Sequence, residues 1–235
     1  MKKLRKNFLI VISMLLIIFQ SNSVYAATSL SSEDIYNNTV NGKWSYVYDN
    51  SGRLSNALSP SGEVLEYKYD RNGNVLKRVK SDNLFLNPSF EAYTNSSGVA
   101  DGWSEVVTSG TAMNKVVQMP LSSGISAQKI AGTGISKEHV VGIYQLIKVD
   151  ANKSFISNGR LDIEFLKNAT AQLYIEFYSD PNHIVSVYTT DYAQSTNGSF
   201  ITLAINGSIP SNATFAKSYL EPKGMGRLEP FMLIL

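Results

Sequence analysis

Apolar and polar side chains alternate over residues 172–179. Leu173, Ile175 and Phe177 fall on one side, and Gln172, Tyr174, Glu176 and Tyr178 on the other. A period of two is that of a strand with one buried face. Shorter runs of strand-like text recur at 142–149, 161–166, 183–189, 200–205 and 214–220, broken by Gly, Asn and Ser. Residues 167–171 read as the turn into the 172–179 strand. No long stretch carries the 3.6-residue period, so little helix is expected. Short strands at regular spacing, separated by turn residues, predict an all-β sandwich.

The first apolar run is of another kind. Residues 8–19 are apolar apart from Ser13, follow Lys2, Lys3, Arg5 and Lys6, and lead to Val24-Tyr25-Ala26. A basic start, an apolar middle and a small residue before a cut make a helical secretory signal. At about 12 residues the run is shorter than the ~20 a spanning helix needs. The expectation is a signal peptide at 1–26, cleaved after Ala26, and a secreted or extracellular chain, in contact with the cell wall, with no transmembrane segment after cleavage. Four of the 21 basic residues belong to that leader and none of the 19 acidic ones. The remainder carries 17 against 19, so the net charge moves from +2 to −2. No basic patch remains to suggest nucleic acid. With no cysteine, disulfides and thiolate chemistry are excluded.

A short repeat follows. Tyr46-Val47-Tyr48-Asp49-Asn50-Ser51-Gly52 is matched by Tyr67-Lys68-Tyr69-Asp70-Arg71-Asn72-Gly73. Tyr-x-Tyr sets both rings on one side of a strand. Asp-x-x-Gly then turns the chain, the Asp bonding to nearby backbone and the Gly taking a positive φ. Ser59-Pro60-Ser61-Gly62 supplies the opposite turn. The units are hairpins over 44–80 that cannot bury a face alone. Tyr48, Asp49, Gly52, Tyr69, Asp70 and Gly73 resemble the YD repeat of RHS-type, wall-associated bacterial proteins, where many copies build a shell or a stalk. The same residues also read as an ordinary hairpin pair with cross-strand tyrosine packing. Residues 27–43 are then a linker.

From Asn83 onward a second pattern appears. Asn87-Pro88-Ser89-Phe90-Glu91 is followed by Gly102-Trp103, Tyr144-Gln145 and Gly207-Ser208-Ile209-Pro210. This order resembles carbohydrate-binding modules of the cellulose- and xylan-binding, galactose-binding-like jelly-roll type, over residues 83–220. The resemblance implies a jelly-roll β-sandwich at 81–235 and a polysaccharide or cell-wall glycan as partner. A sugar ring has an apolar face and a hydroxyl rim, so it needs an aromatic ring beside amide or carboxylate groups. Gln172, Tyr174, Glu176 and Tyr178, on the polar side of their strand, offer that set. The resemblance places Gln145 on the same concave sheet. It leaves Trp103 as either a stacking residue or a structural plug. It also implies a structural calcium held by Glu91 and a late aspartate, and that aspartate has no counterpart here.

The carboxyl end departs from the same family, which closes on a strand like Gly-Thr-Phe-Tyr-Val-Asp. Here Leu228-Glu229-Pro230-Phe231-Met232-Leu233-Ile234 stands in its place. Codons for those residues can be read one frame over as Ala-Gly-Thr-Phe-Tyr-Val-Asp-Ile. This predicts a frameshift near Gly226 that truncates the protein and alters or removes the last strand. The alternative is that 231–235 forms the last strand itself.

Catalytic chemistry finds little support. His139 and His183 form no His-Glu-x-x-His pair. No Gly-x-Ser-x-Gly elbow occurs, and the spacing of Glu164 and Glu176 does not select a glycosidase pair. The expectation is a non-catalytic glycan binder with no cofactor beyond the implied calcium. The competing expectation is a structural spacer from an RHS-type wall-associated or toxin protein, with no ligand of its own.

Overall fold

The computed structural model describes residues 29–94, 96–121, 124–224 and 231–234; the predicted leader lies outside them. Two five-stranded antiparallel sheets form the main body. In spatial order the first holds β11 (His183–Tyr192), β10 (Ala169–Asp180), β13 (Phe215–Gly224), β8 (Val141–Lys148) and β5 (Ser104–Val107). The second holds β12 (Ile201–Ser208), β9 (Ser154–Phe165), β14 (Phe231–Ile234), β7 (Gly124–Thr133) and β6 (Thr111–Leu121). The protein is an all-β sandwich.

Alternation along the strands sets the core. Leu173, Ile175 and Phe177 of β10 are buried with Ile143 of β8, Ile130 of β7, Leu161 and Ile163 of β9, and Leu203 and Ile205 of β12. Each such side chain contributes about 1.5–3 kcal/mol on burial. Trp103 closes one end. Its ring stacks on Phe85 at 5.5 Å, tilts against Phe90 at 5.4 Å, and its Nε1–H donates to the Asn87 carbonyl at 3.2 Å. It is 5% exposed and wedged between Phe85 and Phe90, so it plugs the core and offers no open face to a sugar.

Before the sandwich comes a four-stranded meander, β1 (Ser45–Tyr48), β2 (Leu54–Leu58), β3 (Val64–Tyr69) and β4 (Val75–Ser81). Its turns share one design. Asp49 Oδ1 accepts from the N–H of Ser51 and of Arg53, each at 2.9 Å, and Asp70 Oδ1 does the same for Asn72 and Asn74. Ser59 Oγ accepts from the Glu63 N–H at 3.0 Å. Gly52, Gly62 and Gly73 take φ of +76°, +93° and +87°, which favours glycine. Tyr46 and Tyr48 lie on the exposed side of β1 and Val47 on the buried side. Trp44, just before β1, stacks on Tyr46 at 6.5 Å and is exposed.

Residues 27–43 are more than a linker, because α1 (Ser32–Val40) lies within them. Ser31 and Asp34 cap each other across its first turn: Asp34 N–H donates to Ser31 Oγ at 3.1 Å and Ser31 N–H to Asp34 Oδ2 at 3.0 Å. Ile35 then joins Val47, Leu58, Val64, Leu86 and Ala92 in a second, smaller core. The meander thus buries its apolar side against α1 and the opening segment of the sandwich.

Three strands escaped the pattern reading: β5 and the hairpin of β6 and β7. Phe231–Ile234 does form a strand, β14, paired with β7 and β9.

Candidate functional site

On the first sheet, the side turned away from the core carries the polar half of each alternating strand. Register sets the neighbours. Tyr174 stands opposite Tyr219, Glu176 opposite Lys217 and Gln172 opposite Glu221; Tyr219 in turn faces Tyr144 on β8. Three phenol rings therefore cross the sheet in a row, with centroids 5.6 Å apart for Tyr174–Tyr219 and 5.5 Å for Tyr144–Tyr219.

Glu176 lies beside that row. It accepts hydrogen bonds from the hydroxyls of Tyr219 at 2.7 Å, Tyr174 at 3.4 Å, and Tyr178. Burial, then the bond to Glu176, pushes the Tyr219 and Tyr178 phenols well above their ordinary range. The Lys217 ammonium sits 3.8 Å from the centre of the Tyr144 ring and 5.2 Å from that of Tyr219. Burial lowers its pKa, with Glu176, Glu33 and Glu221 opposing.

Glu221 is the outlier. It is 4% exposed, and no hydrogen-bond donor reaches its carboxyl among the described residues. Burial and then the nearby Glu176 charge push its pKa up to about 8, with partial relief from Lys223 and Lys217. It fits because Gly142 has no side chain: a Cβ there would lie 2.5 Å from the Glu221 Cβ and 2.4 Å from the Leu220 carbonyl oxygen. A protonated Glu221 both donates and accepts.

Only part of this face is open. Helix α1 crosses its lower end. Glu33 accepts from the Tyr144 and Ser104 hydroxyls, and Tyr36 packs edge-on against Phe215 at 4.7 Å. The upper end stays free as a groove of about 270 Å³, lined among others by Thr108, Gln172, Tyr174, Glu176, Tyr219 and Glu221.

Gln172, Tyr174, Glu176 and Tyr178 do lie on one face together. Gln145 does not join them. It points into the body, 1% exposed, where its Oε1 accepts from Leu86 N–H at 2.8 Å and its Nε2 donates to the carbonyls of Gly102 at 2.8 Å and Leu86 at 3.0 Å. It is an amide clamp between two chain segments. The outward place on β8 belongs to its neighbour Tyr144. Glu91 is also spent elsewhere: its oxygens accept from the N–H groups of Ile125 at 2.8 Å and Ser126 at 3.0 Å, and from Ser126 Oγ at 2.9 Å. These donors engage both Glu91 oxygens, and no group of three His, Cys, Asp or Glu that could hold a metal ion lies among the described residues. Sequence reasoning missed Tyr219, Glu221 and Lys217. Their signal was present, since Phe215, Lys217, Tyr219, Glu221 and Lys223 alternate with Ala216, Ser218, Leu220 and Pro222.

No protein-family model and no curated protein matches the chain. Among solved structures it is similar to a family 61 carbohydrate-binding module in complex with β-1,4-galactotriose, at 16% identity over 66% of this chain and 94% of that chain, with a TM-score of 0.45. It is similar to a carbohydrate-binding module of the β-sandwich superfamily at 10% identity, over 81% and 80% of the two chains, with a TM-score of 0.46. A third similarity is to part of the enzymatically active domain of tailspike protein 4 of bacteriophage CBA120, at 14% identity over 63% of this chain and 21% of that chain, TM-score 0.43. What each of those proteins binds or cleaves is a property of that protein.

Proposed function

We propose that this chain is an exported, non-catalytic glycan-binding protein that takes a short stretch of polysaccharide into the open groove of the first sheet. The observation that carries the reading is the groove's composition. The half-buried Tyr174 ring and the buried Tyr219 ring stand beside an amide, two carboxyl groups and a hydroxyl in a shallow depression. That combination suits a sugar's apolar face and hydroxyl rim together. Binding without catalysis is supported by Glu176, whose oxygens accept from three phenol hydroxyls. The basic-then-apolar text of residues 2–19 supports export, and the cell wall is the partner surface this reading favours.

A second reading, a spacer of the RHS type, is favoured by the repeated Asp-led turns of the meander. Affinity electrophoresis of the folded chain in gels containing cell-wall polysaccharide, xylan or mixed-linkage glucan separates the two. A binder is retarded on at least one gel, and Tyr174→Ala weakens that retardation about tenfold, the ~1.4 kcal/mol of a lost ring contact. Unretarded migration on all three gels favours the spacer.

A further inference from the structure

Two carboxyl groups in the groove of the first sheet have no cation bonded to them among the described residues. Of the charged side chains lining it, Glu138, Glu176 and Glu221 are acidic and Lys223 is basic. Lys223 is engaged by Glu138, which its Nζ reaches at 2.5 Å. Glu176 is met by phenol hydroxyls, which donate without carrying a charge. Glu221, almost wholly buried, receives no donor at all among the described residues. The Lys217 ammonium, opposite Glu176 in register, lies over the Tyr144 and Tyr219 rings instead.

Register extends the pattern outward. Asp191 on β11 stands opposite Gln172, which stands opposite Glu221. Directly opposed residues point to the same side of a sheet, so a carboxyl flanks the Gln172 amide on either hand. The adjoining row holds the rings of Tyr174 and Tyr219, and the face of a phenol attracts a cation as a carboxylate does. On the β8 side of Glu221 stands Gly142, which brings no polar group to it. A buried carboxyl without a donor costs free energy that an arriving donor recovers. A sugar hydroxyl can donate, but it leaves Glu176 and Glu221 without a countercharge. An ammonium group supplies three donors and the charge together.

We propose, on the footing of the glycan-binding reading above, that the groove selects a glycan with free amino groups, a 2-amino-2-deoxy sugar whose ammonium is received by Glu221 while its ring lies against Tyr174. In the free protein burial, then the Glu176 charge, keeps the proton on Glu221 up to about pH 8. An ammonium beside it favours the carboxylate, and the Glu221 O–H proton passes to solvent as the ion pair forms. N-acetylation of the sugar removes both the charge and two of the donors, so the acetylated glycan gains nothing from this corner.

Isothermal titration of the full chain at pH 7 tests this with four probes: the β-1,4-linked glucosamine hexamer, its fully N-acetylated form, the corresponding glucose hexamer, and trilysine. The glucosamine hexamer is expected to bind at least about tenfold more tightly than either neutral hexamer and than trilysine. In Glu221→Gln, with near-UV circular dichroism to report its fold, the ratio between the glucosamine and N-acetylated hexamers is expected to fall to about twofold or less. Equal binding of the three hexamers by the wild type overturns the amine selectivity and leaves the glycan-binding reading standing. No binding of any hexamer removes both. Trilysine binding as tightly as the glucosamine hexamer assigns the face to cations at large and overturns the proposal, as does a preference that survives in Glu221→Gln.

Discussion

Glu221 shows how one missing side chain permits an unusual charge. With Gly142 leaving room, the carboxyl lies across β8 in a buried setting and holds its proton up to about pH 8. In the unfolded chain the same group releases it near the ordinary 4.5. Between those values the folded state binds more protons than the unfolded one, so stability falls as pH rises, and levels off above the folded pKa. The slope is at most about 1.4 kcal/mol per pH unit. Urea unfolding midpoints from pH 5 to 9 should therefore decline for the wild type. They should stay nearly flat for Glu221→Gln, which keeps the shape and cannot ionise. Parallel curves for the two proteins would remove the buried carboxyl from the account.

At the level of elements, α1 joins the two cores. Its buried Ile35 belongs with the meander, while Glu33 and Tyr36 reach onto the first sheet. Ile35→Ala should cost about 2–3 kcal/mol, and the loss should be local. Hydrogen exchange should speed up in α1 and β1–β4 while β8, β10 and β13 keep their protection. Uniform loosening of the sandwich would contradict the separate small core. The strands with clean alternation, β10 and β13, were legible in the sequence because one side of each is apolar and the other is not. β8 was legible as a strand but not in its facing. Its text, Val-Gly-Ile-Tyr-Gln-Leu-Ile, is apolar at nearly every place, so nothing local shows that Gln145 points in and Tyr144 out. β6 was hidden for the opposite reason: as an edge strand it mixes Lys115, Asn114 and an exposed Met113 without a strong period. Helix α1 is too short for periodicity, although the Ser31–Asp34 cap was present to be read. The groove is assembled by cross-strand register, which links Gln172 to Glu221 and Tyr174 to Tyr219 over more than forty positions of chain. No local pattern carries that information.

For the whole molecule, the two packed parts are tied by single polar contacts as well as by the small core. Gly102 N–H donates to the Leu30 carbonyl at 2.6 Å, and Lys148 Nζ donates to the Pro60 carbonyl at 2.9 Å. Among the described residues no helix is long and apolar enough to cross a membrane. The chain has two tryptophans, and the fold puts them in unlike places. Trp44 is exposed beside the meander, and Trp103 is sealed in the sandwich. Emission from the native protein should thus be a sum of a red, acrylamide-quenchable component and a blue, protected one, and Trp44→Phe should leave only the second. Unequal shielding of two indoles makes the molecule its own two-channel optical gauge: fraying of the hairpins dims one colour, and only rupture of the main body shifts the other.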